Sequence, residues 1–294
     1  MKMDRGVGVR ESELPWVDIA VRPGYKQRYK GFFDSERGIG LRIGSLYADP
    51  YYHSPSHRHT FQQVRYVVQG KMKYNNAHVY GVGDCLYLPE GTHYGPVKPV
   101  PVAQGGADQM HFVDMQFMGP SGIPYPEPEP VVEAQRALAS EGVFAEGVYT
   151  YPDGRKRDAY EAILERLTGK PVVYPPSRLD SYVVMRSNSY PEMPLNGHAG
   201  VHQKHLGYFF ECGPNIKTYR LDAGAQIPAG TPQGHRALLL VSGEIEFDGE
   251  SFPAFSYFVF PEKLPHAALR ARSEAKLLAI GWTLPGQQIP FELF

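Results

Sequence analysis

The chain has 294 residues, 42% of them hydrophobic, with 31 Gly, 27 Pro, 20 Tyr and 15 Phe, a length that can bury two modest cores and a composition that leans all-β with many turns. Thirty Lys and Arg against 31 Asp and Glu leave a net charge of −1, so there is no basic field to hold nucleic acid or an anionic membrane, and no apolar run approaches the roughly 20 residues of a membrane span. Cys85 and Cys212 are far apart and no apolar signal core follows Met1, so the expectation is a reducing, cytoplasmic setting without a disulfide.

Residues 1–35 read as an extended arm containing Pro15 and Pro23. Between 36 and 118 the pattern is one of strands. Leu41–Tyr47, His57–Gln69, Lys71–Tyr74, His78–Tyr80, Cys85–Leu88 and Met110–Phe117 are separated by turn signals at Gly70, Asn75-Asn76, Gly83-Asp84 and Gly91, the rhythm of an antiparallel barrel or sandwich. Residues 119–190 break it. Pro124, Pro126, Pro128 and Pro130 predict a stiff extended linker, and Val131–Ser140 and Lys156–Thr168 predict two short helices, the second closed by Gly169. The expected role of this insert is packing between domains. Strands return within 191–294, where His198, His202 and His205 lie among glycines and read as loop and strand-start residues.

The chain repeats itself. Val67-Val-Gln-Gly70-Lys-Met-Lys-Tyr aligns with Leu240-Val-Ser-Gly243-Glu-Ile-Glu-Phe, and Cys85-Leu-Tyr-Leu-Pro89-Glu90 with Tyr257-Phe-Val-Phe-Pro261-Glu262, so one fold is used twice. Chemistry concentrates in the first copy. His57 and His59 share a strand face, Gln63 keeps their parity, and His93 follows a Gly/Pro-punctuated segment that can pair alongside. Three imidazoles and an amide oxygen can converge there on one divalent metal. Gln63 either ligates directly or holds a metal-bound water.

These motifs resemble the cupin superfamily, and the duplication resembles a bicupin. The first motif reads His57, His59, Gln63, Gly70, with Gln63 where Glu is usual. The second reads Gly83, Pro89, Gly91, His93, with His93 one residue earlier than the commonest spacing. The resemblance implies two jelly-roll β-barrels joined by the partly helical insert, with one intact metal-binding motif pair. In the second copy the first-motif positions are Gly230, Pro232 and Arg236, leaving His266 near the second motif. Gly and Pro offer no side-chain donor, so that barrel is expected to be metal-free.

Arg65 shares parity with Gln63 and either meets a substrate carboxylate or pairs with a nearby acid. Tyr87 and Tyr94 are candidate pocket walls or proton donors, and His53 a candidate supporting residue. On Met110–Phe117 either Asp114 and Gln116 or His111 and Met115 line the pocket. Neutral ligands would leave a +2 charge uncompensated, favouring anionic oxygen ligands and non-redox Lewis-acid chemistry on a small organic acid or carbonyl compound, of lyase or isomerase type. The metal would be Mn, Fe, Ni or Zn, one per chain. An Fe-dependent dioxygenase and a non-catalytic metal or small-molecule binding module are the alternatives. Barrel edges and the arm also suggest exchange between subunits, hence a homodimer.

Overall fold

The computed structural model describes residues 3–283 except 19–23, 35, 76–77, 120, 122, 124–125, 127, 175, 177–178 and 210–213. Among these the chain forms two large antiparallel sheets, each paired with a smaller one to make a barrel. Neighbouring strands of the first large sheet are Val183–Arg186, Asp84–Leu88, Phe61–Gln69, Met110–Met118, Ile39–Ala48, Tyr25–Asp34 and Val17–Asp18. Those of the second are Val7–Val9, Tyr257–Phe260, His235–Ser242, Ala275–Trp282, Asn215–Leu221, Val201–Tyr208 and Met193–Pro194. The order is the same in both, so the sequence repeat is a repeat of topology.

The outer strands are exchanged. Val7–Val9 precedes the first barrel yet pairs with Tyr257–Phe260 of the second, and Val183–Arg186 precedes the second yet pairs with Asp84–Leu88 of the first. Each barrel therefore has an edge covered by the segment leading into the other. The arm expected over 1–35 differs accordingly: its residues 25–34 are a full strand of the first sheet, and its start pairs within the chain.

Period-two patterning decides what each large sheet faces. On Phe61–Gln69, Val64 and Tyr66 join Met115, Phe117, Leu239, Leu278 and Trp282 in one core between the two large sheets. Val67 points the other way, into a core with Met72, Tyr74 and Phe112 inside the first barrel. A third core, with Leu238, Ile245 and Phe258, fills the second barrel. The repeat glycines are explained by backbone and space together. Gly70 and Gly243 have φ of 79° and 89°, and a Cβ there would lie 2.4 Å from Met110 Sδ and 2.2 Å from Glu274 O.

The insert has its own small core around Leu138, Tyr149 and Ile163. Its first helix runs Pro128–Glu141, longer than the sequence predicts. The second is shorter, Ala159–Thr168, because Asp158 is extended and its carboxylate accepts the amides of Tyr160 and Glu161 as a cap, while Lys156–Asp158 pairs as a strand with Val148–Thr150. Gly169 closes it with φ 67°. His202 and His205 lie on strand Val201–Tyr208. Cys85 is buried, which pushes its thiol up, and Cys212 lies outside the described residues.

Candidate metal centre

Strand pairing assembles the centre. His57 and Tyr94 form an antiparallel bridge through His57 N to Tyr94 O at 3.1 Å and Tyr94 N to His57 O at 3.0 Å. Directly opposed residues share a face, and the His57 and Tyr94 rings lie 4.5 Å apart between centroids. His59 joins them, its ring 4.8 Å from that of His57 and its Nε2 2.7 Å from the Tyr94 hydroxyl. The same hydroxyl donates to Gln63 Oε1 at 3.3 Å. His57 Nδ1 lies 2.7 Å from Pro55 O. A proton on Nδ1 donates to that carbonyl and leaves the lone pair on Nε2, as metal-binding imidazoles require.

His93 is not among these residues. Its neighbour Tyr94 faces the histidines, so pleat alternation turns His93 outward, and it is exposed. The repeat gives independent confirmation of the register: Gly230 and His266 form the equivalent bridge in the second barrel. His266 thus matches Tyr94, as His57 matches Gly230. His93, expected as the fourth donor, is thus exposed, and the side chain that faces the histidines is Tyr94, at the position the commonest spacing specifies.

Behind Gln63 lies a buried ionic network. Arg65 Nε and Nη2 donate to the two Asp114 carboxylate oxygens at 2.6 and 2.7 Å, and Gln63 Nε2 donates to Asp114 Oδ2 at 2.5 Å. Arg65 also donates to the Tyr74 hydroxyl and lies over the Phe112 ring. Burial works most strongly against the Arg65 charge, but Asp114, Tyr74 and Tyr94 together outweigh it and hold the guanidinium well above its ordinary range. The acceptor-only Asp114 fixes the amide of Gln63: nitrogen toward the carboxylate, oxygen toward Tyr94. Arg65 is therefore engaged by a buried acid, one of the two partners its parity allows.

The other strand face is also settled. Asp114 stands opposite Arg65, and Gln116 opposite Gln63, on the barrel-interior side. His111 points between the barrels, 3.0 Å from Ser45 Oγ and stacked on Tyr47, and burial lowers it to about 4. Tyr87 likewise belongs to the inter-barrel core, donating to Gln62 and packing on Phe209.

The insert packs beside His57, the one of His57, His59, Gln63 and Tyr94 that lines a cleft there. A cleft of about 510 Å³ is lined by His53, Pro55 and His57 from the barrel and by Phe144, Glu146 and Tyr160 among others from the insert. Glu161, buried, accepts from Arg58 at 3.0 Å and pairs with Arg157 at 2.9 Å. Arg58 lies between the two histidines in sequence, and Tyr160 places its hydroxyl 3.2 Å from Thr60 Oγ1 and its ring 5.2 Å from that of His59. The sequence offers one signal of this, Asp158-x-x-Glu161, a helix-start pattern. It does not reveal that Glu161 turns to Arg58, 103 residues earlier.

In the second barrel a smaller cleft of about 160 Å³ is lined by Gly230, Pro232, Arg236 and His266 among others. His266 stacks on Phe260, and burial lowers its pKa. Two of the four equivalent positions there carry no donor side chain.

Solved structures share this architecture. A proposed dioxygenase from Nostoc punctiforme matches with a TM-score of 0.64 at 10% identity, over 99% of this chain and 88% of that one. A protein of Pseudomonas aeruginosa described as glyoxylate-induced matches with 0.61 at 10% identity, over 99% and 94%. A mutant oxalate decarboxylase of Bacillus subtilis matches with 0.54 at 13% identity, over 95% and 78%, and Mn(II) centres are described in that enzyme. No family model and no curated protein matches the chain. At these identities the likeness establishes the fold: this is a double-barrel cupin architecture.

Proposed function

We propose that the N-terminal barrel holds one divalent first-row metal through His57, His59, Gln63 and Tyr94, and acts as a metal-dependent enzyme on a small organic acid or carbonyl compound, by lyase- or isomerase-type chemistry. The observation that carries this is the convergence of those four side chains, with the Gln63 oxygen presented by the Asp114 lock. The donor set fits such an ion: two imidazoles, an amide oxygen and a phenol oxygen suit Mn, Fe, Ni or Zn. Oxalate, a small oxygen anion, names the decarboxylase among the structural neighbours.

A bound ion would supply Lewis-acid polarisation of a substrate oxygen. The chain supplies the rest. Gln63, held by Asp114, keeps one neutral oxygen fixed in place. The Tyr94 hydroxyl, shared between His59 and Gln63, is placed to hold or pass a proton. The cleft over His57 admits substrate, and the insert limits water there. Neutral donors leave the ion's charge for an anionic oxygen, unless Tyr94 binds as phenolate and takes up part of it.

Metal analysis of protein purified without added metal tests the reading. One equivalent per chain is expected, and His59→Ala should lose most of it while His266→Ala keeps it. Full stoichiometry in His59→Ala refutes the centre. The engagement of the Tyr94 hydroxyl by both His59 and Gln63 favours a second reading, a closed non-catalytic binding site. Metal bound at one equivalent that no small oxygen anion perturbs spectroscopically would establish it.

A further inference from the structure

The cleft has a polarity that the metal centre alone does not dictate. Its described lining contains no Lys or Arg, while Glu146 and Asp158 contribute carboxylates and His53 contributes a titratable imidazole. The nearby guanidiniums are engaged. Arg58 is held by Glu161 at 3.0 Å, and Arg157 by Glu161 at 2.9 Å and Glu165 at 2.5 Å. Arg65, inside the barrel, is held by Asp114. The charged side chains that line the cleft are thus both acidic, Glu146 and Asp158, and the Asp158 carboxylate also caps the amides of Tyr160 and Glu161. The rest of the wall is apolar or aromatic: Pro55, Phe144, Tyr160 and Ile163. The volume, about 510 Å³, lies in the range of roughly 300–1,000 Å³ that takes drug-sized ligands and far exceeds a two-carbon dianion.

We infer that the substrate is a two-ended molecule: an oxygen-bearing head that meets the metal centre beside His57, and a larger, partly apolar body without negative charge that lies along the insert. Glu146, in the turn joining Val143–Ala145 to Val148–Thr150, sets this selectivity by repelling a distal anion and attracting a distal cation. A molecule with a second carboxylate at its distal end is the poorer ligand. The inference rests on the metal-centre reading and adds to it the class of molecule the insert selects.

Three probes with one metal-binding head test it: benzohydroxamate, 4-(aminomethyl)benzohydroxamate and 4-carboxybenzohydroxamate, titrated calorimetrically into the full-length protein with its metal and after chelation. Metal-dependent binding is expected, with the neutral and cationic probes about threefold or more tighter than the carboxylate, since Glu146 is exposed and its field is screened. Glu146→Lys should narrow that gap threefold or more, and Glu146→Gln should shift it in the same direction by less. Equal or tighter metal-dependent binding of the carboxylate overturns the inference and leaves the metal centre standing. Binding that is the same with and without metal overturns the metal-centre reading, and the inference with it. A gap unchanged in both Glu146 variants overturns the role of Glu146.

Discussion

Asp114→Asn separates the two jobs of the buried network. The side chain keeps its shape, so no cavity forms. The carboxylate now accepts three N–H groups: Arg65 Nε, Arg65 Nη2 and Gln63 Nε2. An amide has one oxygen, and its NH₂ would face donors. Arg65 is 6% exposed and Asp114 3%, so a charge is left buried without its counter-charge. Breaking such a pair costs about 3–5 kcal/mol, a large share of a domain's stability. Urea unfolding should report that loss as a lowered midpoint with an unchanged slope. Replacing both partners, Arg65→Met with Asp114→Leu, should cost far less, because no charge remains to be desolvated. Metal affinity in Asp114→Asn should fall by roughly 10–100-fold, the usual effect of losing a partner behind a ligand, because Gln63 is no longer held oxygen-inward. A stability loss below about 1 kcal/mol would refute the pairing argument. Unchanged metal affinity at reduced stability would show that the network holds the barrel and not the ligand.

Neighbouring residues 93 and 94 should behave oppositely. Exposed His93→Ala should leave metal content intact and stability within about 0.5 kcal/mol, whereas Tyr94→Phe keeps the ring packing on His57 but should weaken metal binding measurably by competition with a chelator. His111 gives a pH prediction. Burial lowers it to about 4 in the folded state from 6.5, so the unfolded chain takes up the proton first. Its contribution is complete above pH 6.5 and is lost as pH falls toward 4, by about 3 kcal/mol in all. The difference between the stability–pH curves of the parent and His111→Asn isolates this from His205, His235 and His266, which burial also lowers. A difference that is flat across that window would refute the buried, neutral state of His111.

What the sequence made legible was local and periodic. The alternation of Phe61–Gln69 puts Gln63, Arg65 and Val67 on one side and Val64 and Tyr66 on the other, and the structure places Val67 in one core and Val64 and Tyr66 in another. The glycines at 70 and 243 marked the repeat because only residues without a Cβ fit there. The exchanged edge strands were not legible. Val7–Val9 is three residues long, and nothing local to it says which of two similar barrels it joins. The alternatives differ only in contacts made across the length of the chain.

One physical rule governs what the sequence leaves open at the site. A strand assigns faces by parity, so an offset of one residue exchanges inside for outside. Residue chemistry favours the imidazole at 93, whereas register turns the phenol at 94 toward the histidines. The repeat already held the answer, since counting from Pro89 and Pro261 sets Tyr94 against His266. For Arg65 the sequence leaves a substrate carboxylate and a nearby acid both open. Its parity was right, but its partner Asp114 sits on a strand 49 residues away, and only strand pairing shows that the acid faces it. The insert follows the same logic. Its helices could be read from their own residues, yet its placement depends on Glu161 meeting Arg58. Arg58 stands between His57 and His59, so the contact that docks the insert also fixes the backbone that carries both imidazoles. A segment whose composition suggests a connector is thereby tied to the centre it covers.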